Sequence, residues 1–323
     1  MDVYEKVSIV IPCYNGERLM HNSLDSILRQ TYRNIQVLLI NDGSTDATEE
    51  IAKQYMTKFG EAGMEFLYFK KENGGAASAV NVGLRHFTGD YLIWFDSDDI
   101  LLPEAVEEYV TFLRDNPCFD YCMGEGATVQ EENTEELIAT IKRVPPENET
   151  KDDMLCDLIM GVNTVYGPGT VCARKQLINR AIPKAGICES REGQNWQLLI
   201  PITYYGSRGY IHKTMFKCVE HGDSHSRRRR GPDAMIDREI EFIRLCTATI
   251  DQISEMPAED RAKYRDAIKI MHFRNIHRIC LRYGRLKQGI QTAAVLRMMG
   301  RTDWRYRGLL PGYISYMIEK ISC

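Results

Sequence analysis

Residues 91–99 read Tyr91-Leu-Ile-Trp-Phe-Asp-Ser-Asp-Asp99, an apolar run followed at once by three carboxylates. The apolar residues predict a buried strand, which delivers Asp96, Asp98 and Asp99 to its carboxyl end. Repulsion among three carboxylates raises their pKa values unless a cation neutralises them. Because oxygen ligands without a nearby cysteine suit Mg²⁺ or Mn²⁺, the stretch predicts a divalent-metal site. The alternative is a cap for a helix that begins at Pro103, for which one aspartate would suffice.

Three similar apolar runs precede this one, at 7–11, 35–40 and 64–69, and helix-like stretches at 18–30, 45–58 and 76–87 separate the four runs. Strands that alternate with helices predict an α/β fold, with a mostly parallel sheet flanked by helices. Ligands of such sheets bind at the carboxyl ends of the strands. Polar residues at those ends are therefore the candidates for a site.

The ends of the first three strands carry polar or small residues. Pro12 and Tyr14 follow the first strand, and the tyrosine ring could stack on a flat base. Asp42 follows the second strand, where a carboxylate can accept a hydrogen bond from a nucleotide base or a ribose. Asn73 and Gly74 follow the third strand, just before a helix whose N-terminus favours an anion. Each feature alone fits an ordinary turn, but their order along successive strand ends favours a ligand site.

Beyond the fourth strand the pattern changes. Helices are predicted at 103–115, 152–160 and 193–203, a strand at 119–123, and a loop or insertion in the acidic stretch 131–150. From residue 233 onward the pattern is helical and amphipathic, with breaks near Pro257, Gly284 and Pro311. We therefore predict a catalytic domain at 1–230, with a nucleotide half at about 1–115 and an acceptor half at about 116–230, followed by a helical region at 231–323.

Charge is distributed unevenly over the 323 residues, whose net charge is −4. From Arg227 to residue 323 there are 20 Lys and Arg against 11 Asp and Glu, so the preceding part is acidic. Basic and apolar residues interleave around Arg274, Arg278, Arg282, Arg285 and Lys287. This pattern predicts either a helix that lies on an anionic membrane surface or ordinary packing on the catalytic domain. The run 227–230 could bind a diphosphate or lipid phosphates, and no motif favours nucleic acid.

The ten cysteines are scattered without a CxxC pair, which argues against a zinc site or a disulfide framework and favours a reducing compartment. The first six residues, Met1-Asp-Val-Tyr-Glu-Lys6, do not resemble a signal peptide. No apolar run approaches the ~20 residues that cross a bilayer. These features predict a cytoplasmic protein, peripheral on the inner membrane face where its basic part binds lipid.

Taken together, the motifs resemble those of glycosyltransferase family 2. The resemblance is carried by Val7-Ser-Ile-Val-Ile-Pro-Cys-Tyr-Asn-Gly-Glu17, Asn41-Asp-Gly-Ser-Thr-Asp46, Glu72-Asn-Gly-Gly75, Asn81 and Asp96-Ser-Asp-Asp99. It covers about residues 5–115 closely and continues more loosely to about residue 230. The resemblance implies the GT-A fold, a Rossmann-like α/β architecture, and generally an inverting reaction.

The resemblance also implies roles for individual residues. Asp42 would read the base, usually uracil, and Asp96 would contact the ribose or the metal. Asp98 would be the metal ligand proper, and His221 lies in a loop that in relatives closes over the donor, where it could bind the metal or the diphosphate. The remaining predicted contacts with the nucleotide sugar are Pro12, Tyr14, Glu17, Asn73, Gly74, Asn81 and Ser97.

The chain departs from the family pattern at two positions. Asn195 stands where the family has its catalytic base, an aspartate, and an amide cannot take a proton from an acceptor. Glu192 is the predicted base in its place, with Glu189 a lesser candidate. Val80 stands where many relatives have an arginine before the asparagine that matches Asn81, so a basic contact to the donor is missing.

The resemblance and the residues together predict a metal-dependent, inverting transferase that moves a sugar from a nucleotide-diphosphate sugar onto a glycan or a lipid-linked glycan. UDP-sugars are the first donors to consider. One alternative is a sugar-nucleotide-binding or scaffold protein that lost catalysis at Asn195. A nucleotidyltransferase is less favoured, because no Gly-rich basic phosphate loop follows the first strand.

Overall fold

The computed structural model describes residues 5–141, 144, 154–162, 167–222 and 230–299. The chain forms two compact units. The first comprises Met1–Arg228 and Ala248–Met256, and the second comprises Arg229–Thr247 and Pro257–Cys323. That the chain divides at residue 230 into a catalytic domain and a helical region stays a prediction.

The first unit opens with four strands separated by three helices. They are β1 (Val7–Cys13), α1 (Met20–Leu28), β2 (Ile35–Asn41), α2 (Thr48–Glu61), β3 (Glu65–Lys70), α3 (Ala76–His86) and β4 (Tyr91–Trp94). The strands lie in the order β3-β2-β1-β4 and all run parallel. Strand β1 continues through Pro12, which is aligned with Ile40 of β2, so the strand ends two residues later than the sequence predicted.

The rest of the first unit adds a mixed part to the sheet. Its elements are β5 (Ile100–Leu101), α4 (Ala105–Asp115), β6 (Tyr121–Gln130), β7 (Asn133–Thr140), α5 (Met154–Ile159), β8 (Val171–Arg174), α6 (Lys175–Ala181), α7 (Gln194–Tyr205) and β9 (Arg208–Glu220). The order β3-β2-β1-β4-β8-β6-β9-β5 is one continuous sheet, and β7 pairs with β6. Strand β8 runs antiparallel to both β4 and β6, whereas β9 is parallel to β6. The α/β fold predicted from the sequence is therefore present: β1 to β4 are all parallel, and the rest of the sheet is mixed.

The prediction of a loop at 131–150 is wrong over 133–140. Strand β7 lies there and pairs antiparallel with β6. Most of its side chains are exposed, so it carries no apolar alternation that would mark it as a strand. Backbone pairing at a sheet edge holds it in place, and such edges favour charged residues. Residues 142–143 and 145–153 lie outside the described part of the chain.

The second unit is helical. The chain from residue 232 contains α8 (Pro232–Asp251), α9 (Ala258–Arg282) and α10 (Leu286–Met299), and the last turn of α8 belongs to the first unit. The helices break near Pro257 and Gly284 as predicted, whereas the predicted break at Pro311 lies outside the described residues. In the part of the chain that the structure describes, no helix is both long and apolar enough to cross a bilayer.

Candidate active site

An acidic cluster lies where β4 ends. The carboxylates of Asp96, Asp98 and Asp99 each place an oxygen within 4.8 Å of the others. The backbone N–H of Phe95 donates to the carbonyl of Val10 in β1, which fixes the chain just before the cluster. The buried strand therefore delivers the three acids together, as the sequence predicted.

The three acids have different surroundings. Asp99 is buried, and its Oδ1 accepts a hydrogen bond from the backbone N–H of Val219 at 2.9 Å. Burial and the neighbouring acids raise the pKa of Asp99 well above its usual value. Burial, with the nearby Asp98, raises the pKa of Asp96 to about 7. No side chain or backbone group in the described ranges donates a hydrogen bond to Asp96.

His221 completes the cluster from the end of β9. Its Nε2 lies 2.8 Å from Oδ2 of Asp98, and its side chain is only 6% exposed. Its Nδ1 lies 3.5 Å from a guanidinium nitrogen of Arg18, which also forms an ion pair with Glu131. The structure thus brings His221 next to Asp98, 123 residues away in sequence, and its predicted role at the metal or the diphosphate stays a prediction.

The donor set of the cluster fits a divalent metal ion. Carboxylate oxygens are hard ligands of the kind that Mg²⁺ and Mn²⁺ prefer, and an imidazole nitrogen is compatible with Mn²⁺. Asp99 accepts a hydrogen bond from the backbone of Val219, whereas Asp96 has no such partner among the described residues. A cation beside Asp96 and Asp98 would relieve the repulsion that raises the pKa of Asp96. Asp96, Asp98 and His221 are therefore the residues that could hold the ion.

The loops that follow β1 and β2 are joined by hydrogen bonds. The backbone N–H of Asn15 donates to Oγ of Ser44 at 2.9 Å, and Oδ1 of Asn15 accepts from the backbone N–H of Thr45. Oε2 of Glu17 accepts from the backbone N–H of Ala47 at 2.8 Å. Glu17 therefore accepts a hydrogen bond from a backbone N–H at the N-terminus of α2. This role was not predicted from the sequence.

Tyr14 lies in the same loop with its side chain 53% exposed, so its ring is accessible for the stacking predicted from the sequence. Whether Glu17 and Tyr14 also contact a nucleotide stays a prediction. Pro12 lies within β1 two residues before Tyr14, so its predicted role in the nucleotide pocket stays a prediction as well.

Asp42 is buried and receives three hydrogen bonds. Its Oδ1 accepts from Nζ of Lys71 at 2.8 Å and from the backbone N–H of Gly74 at 3.0 Å. Its Oδ2 accepts from the backbone N–H of Gly75 at 2.7 Å. Gly43 has a φ of 75°, and a side chain there would come within 2.6 Å of the backbone nitrogen of Asn73. Asp42 therefore fixes the loop that holds Asn73 and Gly74.

Cys13 links β1 to the acidic cluster. Its thiol is buried, and the side chain of Ser97, the residue between the two predicted metal ligands, acts to lower its pKa. Burial raises the pKa of Cys13 to about 12, and the negative charges of Asp46 and Asp98 act in the same direction. The thiol therefore stays protonated, and the donor contact predicted for Ser97 stays a prediction.

Two buried amide side chains hold a short segment between α6 and α7. Asn81 of α3 donates to the carbonyl of Ile187 and accepts from its backbone N–H, both at 2.8 Å. Gln197 of α7 accepts from the backbone N–H of Cys188 at 2.8 Å and donates to its carbonyl at 3.1 Å. We call these two pairs the amide clamp. Asn81 thus has a positioning role, and its predicted contact with the donor stays a prediction.

The amide clamp holds the segment that carries the candidate base. Gly193 adopts the left-handed conformation directly before α7, so Glu192 lies at the turn into that helix. A side chain at Gly75 would come within 3.3 Å of the backbone of Ser190 and Arg191. The loop that Asp42 organises therefore packs against the segment of Glu192. The assignment of Glu192 as the base stays a prediction.

Asn195 lies in the first turn of α7. Its side-chain oxygen is buried and has no hydrogen-bond partner among the residues that the structure describes. The predicted run 227–230 has only Arg230 within the described residues, so its contacts with phosphates are not defined by the structure.

The amide clamp leads to a prediction about local stability. Asn81→Ala should speed the exchange of the Ile187 amide hydrogen, and Gln197→Ala that of Cys188, by about tenfold, because each variant removes a buried acceptor. Hydrogen exchange followed by mass spectrometry measures this. Gln36→Ala is the matched control, since that buried amide binds Ser8 and Thr88 outside the clamp. Unchanged exchange in both clamp variants would show that the clamp does not hold the segment.

Comparison with known proteins identifies the family. Residues 8–175, just over half of the chain, match the family model described as glycosyl transferase family 2. The putative glycosyltransferase EpsE of Bacillus subtilis is 30% identical over 75% of this chain and 82% of its own length. The chain belongs to glycosyl transferase family 2, as the motifs predicted.

Other relatives match over a shorter region. An uncharacterized glycosyltransferase of Rickettsia typhi is 44% identical over 33% of this chain, and the match spans 32% of that protein. The chain therefore aligns with about a third of the length of this relative. The likeness lies in a common segment and not in the whole protein.

Solved structures show the same fold. Residues 1–349 of S. aureus TarS, in complex with UDP-GlcNAc, superpose with a TM-score of 0.65 at 16% identity, over 91% of this chain and 81% of that one. The mannosyltransferase PcManGT from Pyrobaculum calidifontis, in complex with GDP-Man and Mn²⁺, gives a TM-score of 0.55 at 18% identity, over 95% and 84%. The predicted GT-A fold is confirmed.

Proposed function

We propose that the chain transfers a sugar from a nucleotide-diphosphate sugar, in the first instance a UDP-sugar, onto a glycan or lipid-linked glycan with inversion at the anomeric carbon. The observation that carries this proposal is the cluster of Asp96, Asp98 and Asp99 with His221 at the end of β4. Membership of family 2 and the fold of TarS and PcManGT support it.

The donor side of the proposed reaction depends on the acidic cluster. Asp98 and Asp96, with His221, would hold a Mg²⁺ or Mn²⁺ ion, which when bound supplies positive charge to the departing diphosphate. Nε2 of His221 lies 2.8 Å from Oδ2 of Asp98, and this hydrogen bond fixes the orientation of the two side chains relative to each other. Asp99 holds the end of β9 at the cluster through its hydrogen bond with Val219. It thereby positions His221, which directly follows β9.

The acceptor side of the proposed reaction depends on the segment held by the amide clamp. Glu192 would take the proton of the acceptor hydroxyl, which attacks the anomeric carbon from the face opposite the diphosphate. Gly193 gives the backbone turn that separates Glu192 from α7. The clamp limits the movement of this segment, so the carboxylate keeps its direction during the reaction.

The proposal is tested by binding and turnover. A thermal-shift panel of UDP-GlcNAc, other UDP-sugars and GDP-mannose, with and without Mn²⁺, should show metal-dependent stabilisation by one donor class. UDP or GDP release in the presence of glycan acceptors should then follow the same preference. Binding without turnover across the acceptors would favour the binding or scaffold protein, and absence of binding would refute the proposal.

Asp42 allows a separate prediction about binding of the nucleotide base. Asp42→Ala should weaken binding of UDP more than binding of pyrophosphate, by up to ~1.5–3 kcal/mol for a charge-assisted hydrogen bond to the base. Isothermal titration calorimetry with both ligands measures the difference. Because Asp42 also holds Gly74 and Gly75, an equal loss for both ligands would mean that it acts only through that loop.

The proposal includes the place where the protein works. A lipid-linked acceptor would lie at a membrane, and the excess of basic residues from Arg227 onward suits the anionic inner face of that membrane. We therefore propose a cytoplasmic protein that binds this face peripherally.

A further inference from the structure

The helix for which the sequence left membrane binding and ordinary packing open does not offer an apolar face. Within 273–287, Ile276 and Ile279 of α9 are buried, and α9 packs closely along α10. An interfacial helix needs its apolar side accessible to lipid. The exposed basic residues Arg278 and Arg282 of α9 can still attract anionic lipid, but the buried apolar residues of α9 serve the core of the second unit.

Helix α10 carries the exposed apolar residues instead. Leu286, Ile290 and Met298 are 47%, 50% and 67% exposed, and Ala294 between them is exposed as well. Successive positions are four residues apart, so the four residues lie along one side of the helix over about 18 Å. The buried residues Gly289 and Thr292 mark the opposite side. We call these four exposed residues the α10 stripe.

The charged residues of α10 and of the chain segment before it are all basic. Lys287 and Arg297 are exposed on the same helix. The guanidinium of Arg282 lies 5.8 Å from the ring centroid of the exposed Tyr283, just before α10. Between residues 267 and 299 the sequence has seven Lys and Arg and no Asp or Glu. Arg285 is neutralised by Asp233 at 2.7 Å, so the basic groups nearest the stripe are Lys287 and Arg297.

We propose that the α10 stripe lies on an anionic lipid bilayer. Its apolar side chains would enter the boundary between headgroups and acyl chains, while Lys287 and Arg297 extend their ammonium and guanidinium groups to the lipid phosphates. Tyr283 and Arg282 suit the headgroup level, where aromatic rings and cations gather. This inference rests on the membrane part of the proposed function and identifies the surface that makes the contact.

The test compares two isoleucines of similar exposure in the full chain. Ile290→Ser should lower the partition onto phosphatidylserine-containing vesicles by about tenfold, because an apolar side chain leaves the lipid boundary. Ile240→Ser is the matched control: Ile240 of α8 is 52% exposed, but it lies between Glu239 and Glu241. Lys287→Gln should also weaken binding, and high salt should release the wild-type chain.

Sedimentation with vesicles, thermal unfolding and analytical ultracentrifugation separate the outcomes. A loss of vesicle binding in Ile290→Ser that Ile240→Ser does not share, with unfolding temperatures near wild type, supports the proposal. Equal binding by all variants, equal binding to neutral phosphatidylcholine vesicles, or no binding by the wild type would overturn it. Self-association without vesicles that Ile290→Ser abolishes would assign the stripe to a protein interface and overturn it too. No nucleotide sugar is present, so the result is independent of the transferase proposal.

Discussion

Glu192→Gln is expected to lower turnover by about 10²–10⁴-fold while the dissociation constant of the nucleotide sugar stays nearly unchanged. The reason is that an inverting displacement needs a base on the acceptor side, and a glutamine cannot take the proton. Asn195 cannot serve either, and its buried oxygen has no described partner. Steady-state release of the nucleoside diphosphate, together with calorimetric donor affinity, separates loss of chemistry from loss of binding.

Two further variants make this result specific. Glu189→Gln, three residues earlier on the same clamped segment, should retain most of the turnover. Asn195→Asp should not be required for activity and should not rescue Glu192→Gln. Wild-type turnover in Glu192→Gln would refute its role as the base. If Glu189→Gln were then inactive, the base would be Glu189; if neither variant changed a measurable turnover, the base would lie outside this segment.

Asp98→Asn is expected to abolish metal-dependent binding of the donor while the fold remains intact. Asp98 is one of the two carboxylates available to the ion, and the amide that replaces it lacks the negative charge that holds a divalent cation. The carbonyl of the new side chain can still accept a hydrogen bond from His221 if that nitrogen carries the proton, so the loop should keep its place. Calorimetric titration of the donor with and without Mn²⁺ measures the effect.

Asp90→Asn provides the control, because Asp90 immediately precedes β4 and accepts a hydrogen bond from the backbone N–H of Lys6 at 2.8 Å. The amide can accept the same bond, so donor affinity should stay at the wild-type value. Metal-dependent affinity that survives in Asp98→Asn would move the ion away from Asp98. A matching loss in Asp90→Asn would instead indicate a general effect of removing a carboxylate next to either end of β4.

The sequence predicted the parallel part of the sheet because its strands read as continuous apolar runs, and β1, β2 and β4 are almost entirely buried. All seven residues of β2 are buried, for example. Strands β7 and β9 carry many polar residues and are held by pairing with β6, a partner that local pattern does not reveal. The short strand β8 lies between β4 and β6, and only four residues mark it.

The site residues divide in the same way, into those that follow a local apolar run and those whose partners only the folded chain shows. Asp96, Asp98 and Asp42 come directly after apolar runs, so their location at the sheet edge could be inferred from the chain. His221 required the resemblance to the family, because β9 was not recognised. Gln197 was missed entirely: its partner Cys188 is nine residues earlier, and only the packed structure shows that its amide binds backbone groups.

The amide clamp forms its hydrogen bonds with main-chain atoms alone, so these bonds do not depend on the side chains at the positions that the clamp holds. Ile187 and Cys188 are held through their N–H and carbonyl groups, which every residue except proline provides. Glu189 and Arg191 are exposed next to this anchored point. If Glu192 is the base, as proposed, substitutions there would change the surface offered to the acceptor without loosening the segment. Directed evolution of acceptor preference would do best to randomise these positions and leave Asn81 and Gln197 untouched.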